Sequence, residues 1–128
     1  RQAAAGRDAD GGAEWGRLLE LRYRHSGDVR LLHRAVDALA PGEGVARDAR
    51  LAQVLTALYA QVRDSTLLER AIALHRSALA ATPDADRSRP GRLAACAEAL
   101  VLHAERRSDP AALREAVRCY RAALRRPP

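Results

Sequence analysis

The sequence contains six histidine and cysteine side chains, residue types that commonly bind metal ions or act as nucleophiles. They are His25, His33, His75, His103, Cys96 and Cys119. No two histidines are three or four residues apart, and the cysteines form no C-x-x-C pair, so neither set has the spacing of a zinc site. His75 falls at a packing position of a predicted helix. We therefore expect a core histidine whose hydrogen bonds are satisfied, two small core cysteines and no metal site.

Acidic pairs and short motifs do not indicate catalysis either. Asp8-Ala9-Asp10 and Asp84-Ala85-Asp86 are interpreted as polar loop residues that cap the next helix. The sequence contains no glycine-rich phosphate loop, no G-x-S-x-G nucleophile motif and no pair of carboxylates on rigid elements. We expect no enzymatic activity within these residues and no cofactor.

Arginine supplies all 22 basic residues, and the formal net charge is +6. Four arginines recur at helical spacing near the end of the chain, and we call them the basic stripe: Arg114, Arg118, Arg121 and Arg125. Such a stripe could bind phosphates or an acidic partner. No aromatic residues interleave with it as a single-strand platform requires, so a solvated face, or one covered by a following repeat, is the plainer interpretation. Nucleic acid stays an alternative partner.

The elements that would position these residues are all predicted to be helices. Apolar residues between positions 51 and 79 recur at intervals of three and four, and none of the chain alternates like a strand. The predicted helices are 12–25, 29–40, 46–62, 65–81, 91–106 and 110–125. No apolar run is long enough to span a bilayer, and there is no signal-peptide pattern, so a cytoplasmic protein is expected.

The predicted helices form a repeat. Similar hexads at 31–36, 67–72 and 112–117 each follow an aspartate at the same distance and lie 36 and 45 residues apart. The apolar segments before the second and third hexads are 42 residues apart, which places a three-residue length difference in the turn between the two helices of a unit. We therefore predict three helix-turn-helix units, at about 12–44, 45–88 and 89–128, each with a helix A and a helix B.

The two ends suggest a piece of a longer array. Residues 1–10 are similar to residues 76–86, the end of the second helix B and its following loop. We interpret residues 1–11 as the tail of a preceding helix B or as a disordered leader. The exposed ends of such a fragment could also pair one copy with another.

The helix B pattern resembles the tetratricopeptide repeat family. Small, bulky, small and proline residues recur there at intervals of 4, 3 and 5: Ala71, His75, Ala78 and Pro83, then Ala116, Tyr120, Ala123 and Pro128. In helix A, Trp15-Gly16-Leu19 and Cys96-Ala97-Leu100 fit the family pattern, whereas Val54-Leu55-Leu58 departs from it. The long units look like the repeats that precede caspase-like peptidase (CHAT) domains in actinobacterial proteins, with the extra length attributed to the A–B turn.

The resemblance implies an α-α superhelix, or solenoid, whose concave groove is lined by the A helices and binds a peptide or a neighbouring domain. Projected onto this sequence, the groove residues are Arg17, Glu20, Gln53, Thr56, Tyr59 and Glu98. The implied role is a protein-interaction scaffold, the regulatory or sensing part of a larger protein. A purely structural spacer between two domains is the other alternative.

Overall fold

The computed structural model describes residues 2–125, and the side chains of residues 11–125. The described chain consists of six helices and contains no strand: α1 Gln2–Ser26, α2 Val29–Leu39, α3 Val45–Val62, α4 Ser65–Ala80, α5 Arg89–Arg107 and α6 Pro110–Leu124. The prediction of an all-α protein is confirmed, and the second to sixth helices lie within two residues of their predicted bounds. We call α1, α3 and α5 the A helices and α2, α4 and α6 the B helices. Pro128, the last residue of the repeat pattern, lies outside the described residues.

The same two-residue turn joins helix A to helix B in all three pairs. Its first residue has a positive φ and its second is an aspartate: Gly27–Asp28, Arg63–Asp64 and Ser108–Asp109. Each aspartate accepts a hydrogen bond from a backbone N–H in the first turn of the B helix. At Asp64, the hydroxyl and then the backbone N–H of Thr66 lower the pKa of the carboxyl group.

The prediction that the A–B turn varies in length is therefore wrong. The extra length of the repeat units does not lie in this turn either. The loops that differ are those between pairs, residues 40–44 and 81–88. Aligned on the turns, Ala52 of α3 matches Gly16 and Ala97, and all three are buried. The sequence alignment of α3 with α5 was shifted by three residues. Three residues are close to one helical turn, so the apolar residues of α3 matched those of α5 almost as well in the shifted register.

Each helix packs against the next one along the chain, and the A helices also contact one another. In the described residues, the B helices have no Cα atoms within 8 Å of one another. The core divides into two clusters. One lies among α1, α2 and α3 and includes Leu32 and Leu55, and the other lies among α4, α5 and α6 and includes Leu68 and Leu100.

Two glycines bring α1 close to α2. A Cβ atom on Gly12 would lie 2.6 Å from the carbonyl oxygen of Ala38, and one on Gly16 would lie 2.7 Å from Cγ of Leu39. The helix α1 runs without interruption from Gln2 through these glycines to Ser26. The prediction that residues 1–11 form a separate tail or a disordered leader is therefore wrong for residues 2–11, while Arg1 lies outside the described residues.

Arginines near the start of two A helices form hydrogen bonds with the backbone of the loops between helix pairs. The Arg47 guanidinium donates hydrogen bonds to the carbonyl oxygens of Leu39 and Ala40, at 3.0 and 2.9 Å. Arg89 donates in the same way to Leu79 and Thr82, at 3.0 and 2.7 Å. These contacts satisfy carbonyl groups that the C-terminal turns of α2 and α4 leave without helical partners. Several of the many arginines therefore serve the fold.

Candidate binding groove

A groove of about 370 Å³ runs across the three A helices. The A helices contribute residues spaced three or four apart, which places them on one face of each helix. The lining residues are Glu20, Tyr23 and Arg24 of α1, Gln53, Thr56, Ala57 and Ala60 of α3, and Ala95, Glu98 and Leu102 of α5, with His75 of α4. The groove thus combines residues from all three helix pairs.

A charged cluster forms the α1 end of the groove. Glu20 is almost fully buried, and its carboxylate accepts a hydrogen bond of 2.5 Å from the guanidinium of Arg50. Arg50 also donates to the side-chain oxygen of Gln53 at 2.9 Å, and Arg24 lies 3.8 Å from the second oxygen of Glu20. A buried carboxylate requires such partners because an unpaired charge is costly inside a protein. Glu20 is therefore fixed in place by α3.

His75 contributes a buried polar atom that has no partner. The side chain is 2% exposed, and its Nε2 atom makes no hydrogen bond in the described structure. Burial lowers the pKa of His75 to about 4, so the imidazole is neutral near pH 7. A buried nitrogen without a partner costs free energy. His75 was predicted to be a core histidine with its hydrogen bonds satisfied; its burial confirms the first part, its unpartnered Nε2 contradicts the second, and its place against the groove was not predicted.

The structure brings together four of the six residues predicted for the groove. Glu20, Gln53, Thr56 and Glu98 all line it. The hydroxyl of Thr56 donates to the carbonyl oxygen of Ala52 at 2.8 Å, which leaves its lone pairs to accept a hydrogen bond. Glu98 is exposed and forms no ion pair with a described residue. Thr56 and Glu98 therefore offer hydrogen-bond acceptors along the groove.

The other two predicted residues lie elsewhere. Arg17 is exposed and pairs with Glu14 at 3.0 Å, and it does not line the groove. Tyr59 is 2% exposed and packs in the second core cluster, so the prediction that its ring lies in the groove is wrong. In the observed register Tyr59 matches both the buried Ala104 and Tyr23, which lines the groove, so the three-residue slip alone does not explain this error.

Tyr23 is the tyrosine that does line the groove. Its hydroxyl accepts a hydrogen bond of 2.8 Å from the side-chain amide of Gln61. The spacing between Tyr23 and Asp28 equals that between Tyr59 and Asp64, so alignment on the aspartates would have identified the pair. That alignment would still not have shown which of the two rings is accessible.

Three arginines of the basic stripe lie on α6 and Arg125 directly follows its last residue, and none of the four lines this groove. All four arginines are exposed, and none forms an ion pair with a described residue. Arg118 borders a second cavity of about 360 Å³ between α4, α5 and α6. There, Arg76 donates two hydrogen bonds to the carboxylate of Glu115, at 3.1 and 2.6 Å, and the pKa of Glu115 is lowered chiefly by them.

Both cysteines are free thiols, Cys96 buried and Cys119 half-buried. Burial raises the pKa of Cys96 to about 12 and also raises that of Cys119. A thiol with a raised pKa is a poor nucleophile because little of it is ionised. Among the described residues, no group of three histidine, cysteine, aspartate or glutamate side chains could hold a metal ion.

None of the described helices is both long enough and apolar enough to cross a membrane. A scan against models of protein families gave no match, and searches of curated proteins and of solved structures gave none either.

Proposed function

We propose that the chain is a protein-interaction scaffold, and that the groove across the A helices binds an extended peptide segment of a partner or of a neighbouring domain. The proposal includes a solenoid of the tetratricopeptide type. The contacts among the A helices, with none among the B helices, support it because they suit an array that curves toward its A helices. In an array that curves toward its A helices, the groove lies on the concave side of the solenoid.

The corrected register also supports the resemblance. In helix α3 the family pattern of a bulky, a small and a bulky residue is met by Leu51, Ala52 and Leu55, rather than by the segment that began at Val54. The same positions in α1 and α5 begin at Trp15 and Cys96. All three A helices then carry one pattern without an exception.

The observation that carries the proposal is a groove that crosses all three A helices and combines apolar lining with several polar groups. Binding sites of this kind combine apolar lining with a few placed donors and acceptors. Leu102 and Ala57 supply apolar surface, while Gln53, Thr56 and Glu98 supply hydrogen-bonding groups. The helices hold these groups in place before binding, so little conformational entropy would be lost by the chain itself.

Selection from a random peptide library on the immobilised chain tests this proposal. Thr56→Arg places a long charged side chain in the groove, and Val62→Arg is its matched control because Val62 is exposed on the same helix and does not line the groove. We expect peptides that bind the native chain and Val62→Arg, with at least about tenfold weaker binding to Thr56→Arg. Peptides that bind all three chains equally would contradict the proposal.

A second candidate is binding of nucleic acid or an acidic protein through the basic stripe. The exposure of four arginines without acidic partners favours it. Such binding would weaken steeply with added salt, and replacing the four arginines with glutamine would abolish it. If the chain is only a spacer, neither the groove nor the stripe will bind a partner. A regulatory role in a larger cytoplasmic protein remains part of the proposal.

A further inference from the structure

Helix α6 presents an apolar face that no described helix covers. We call it the α6 face. It consists of Leu113, Val117, Tyr120 and Leu124, which are 50%, 40%, 39% and 80% exposed. These residues are spaced four, three and four apart, so they form one continuous stripe along the helix. Four large apolar side chains in one stripe are unusual on the surface of a protein without a partner.

The same positions are covered in the two earlier B helices. Counted from the capping aspartates, the equivalents of Leu113, Val117 and Tyr120 are Leu32, Val36 and Leu39 in α2, and Leu68, Ile72 and His75 in α4. All six are buried or half-buried. Their clusters include residues of the following A helix, α3 for the first set and α5 for the second. The α6 face is therefore one half of an interface that this fold makes twice.

The other half of that interface is exposed on α1. Trp15 and Leu18, which we call the α1 face, are 46% and 44% exposed. Their equivalents are fully buried in the later A helices: Leu51 and Val54 in α3, Cys96 and Ala99 in α5. Arg34 of α2 lies over the Trp15 ring at 5.8 Å from its centroid, which orients the ring while leaving it accessible.

We propose that a second copy of this chain docks its α1 face on the α6 face of the first, so that copies associate head to tail. The contact would repeat the packing of α2 on α3 and of α4 on α5, with an aromatic anchor at Trp15. Because the two surfaces are different, the contact is heterologous, and unless the copies close into a ring each added copy leaves both a free α1 face and a free α6 face at the ends. Growth therefore does not stop at a dimer.

Charge would set how this association responds to salt. Each copy carries a net charge of +6, so two copies repel at long range, and the arginines of the basic stripe border the α6 face. Added salt screens the repulsion and should strengthen association. Binding of nucleic acid through the same arginines would respond in the opposite direction.

Sedimentation velocity over a range of concentrations tests the proposal on the chain and three variants. Val117→Glu with Leu124→Glu blocks the α6 face, and Trp15→Glu with Leu18→Glu blocks the α1 face. Val62→Glu is the control, since Val62 is 47% exposed and belongs to neither face. Circular dichroism confirms that each variant folds. We expect the native chain and the control to exceed two copies at high concentration, and each blocked variant alone to stay monomeric.

The decisive sample is a mixture of the two blocked variants. Each keeps the face that the other lacks, so the mixture should form a one-to-one dimer and nothing larger. A native chain that stays monomeric at millimolar concentration, or a folded pair of variants that fails to form the dimer, would overturn the proposal. Association that persists in a singly blocked variant would also overturn it, since it would show another contact.

Discussion

Alanine substitution of three glycines in α1 measures how closely α1 and α2 pack. At Gly11 an added Cβ atom has no neighbour within 4 Å, whereas at Gly12 it meets the Ala38 carbonyl oxygen at 2.6 Å. Inside a helix, replacing glycine with alanine stabilises by about 0.5–1 kcal/mol. Gly11→Ala should show that gain, because nothing opposes it.

The same substitution at Gly12 must also relieve an overlap. A carbon atom and a carbonyl oxygen approach to about 3.3 Å at closest, so the backbones of α1 and α2 would have to separate by roughly 0.7 Å. Forcing extra volume into a packed contact costs about 1–3 kcal/mol. The free energy of unfolding of Gly12→Ala should therefore lie below that of Gly11→Ala by about that amount. Gly16→Ala should also have a lower free energy of unfolding than Gly11→Ala, because its Cβ atom would meet the buried Leu39 side chain at 2.7 Å.

Urea unfolding followed by far-ultraviolet circular dichroism gives these free energies if the dependence on urea stays the same among the variants. The two neighbouring glycines have the same intrinsic helix propensity, so their difference isolates the contact with α2. If Gly12→Ala is as stable as Gly11→Ala, α1 and α2 do not approach as described.

Three further predictions concern polar groups. Arg89→Met should lower the free energy of unfolding by about 1–3 kcal/mol, as measured by urea unfolding, because the Thr82 carbonyl group loses the Arg89 donor and the Leu79 carbonyl group is left with the backbone N–H of Thr82. His75 has a pKa of about 4 when folded and about 6.5 when unfolded, so the unfolded chain binds more protons between these values. The free energy of unfolding should therefore be highest above about pH 6.5 and fall by up to about 3 kcal/mol as the pH drops toward 4. In unfolding curves measured at several pH values, His75→Leu should lack this dependence on pH. Cys96, with a pKa of about 12, should resist a thiol reagent at pH 8 in the folded chain and react in urea.

Most helix bounds could be predicted from the sequence because local signals fix them. The aspartates Asp28, Asp64 and Asp109 start the B helices, and their side chains accept the expected hydrogen bonds from backbone N–H groups. The start of α1 could not be predicted in this way. Gly11 and Gly12 resemble a break, but Gly12 is needed for the close approach to α2, a requirement that only tertiary packing reveals.

The groove could be predicted in part. Helical spacing selects one face of each A helix, which was enough to identify Glu20, Gln53, Thr56 and Glu98. The burial of Tyr59 could not be predicted, because its equivalent Tyr23 lines the groove while Tyr59 itself packs in the second core cluster. The role of His75 could not be predicted, since it depends on how α4 meets α3 and α5.

The groove is tested most directly by mapping a bound peptide with NMR. The peptide selected most tightly from the library would be added to the isotope-labelled chain, and the backbone amide signals followed during the titration. The account predicts that the largest shifts occur at groove residues of all three A helices, including Glu20, Thr56 and Glu98, with α6 unaffected. Shifts confined to the basic stripe or the α6 face would contradict it and place the binding site elsewhere.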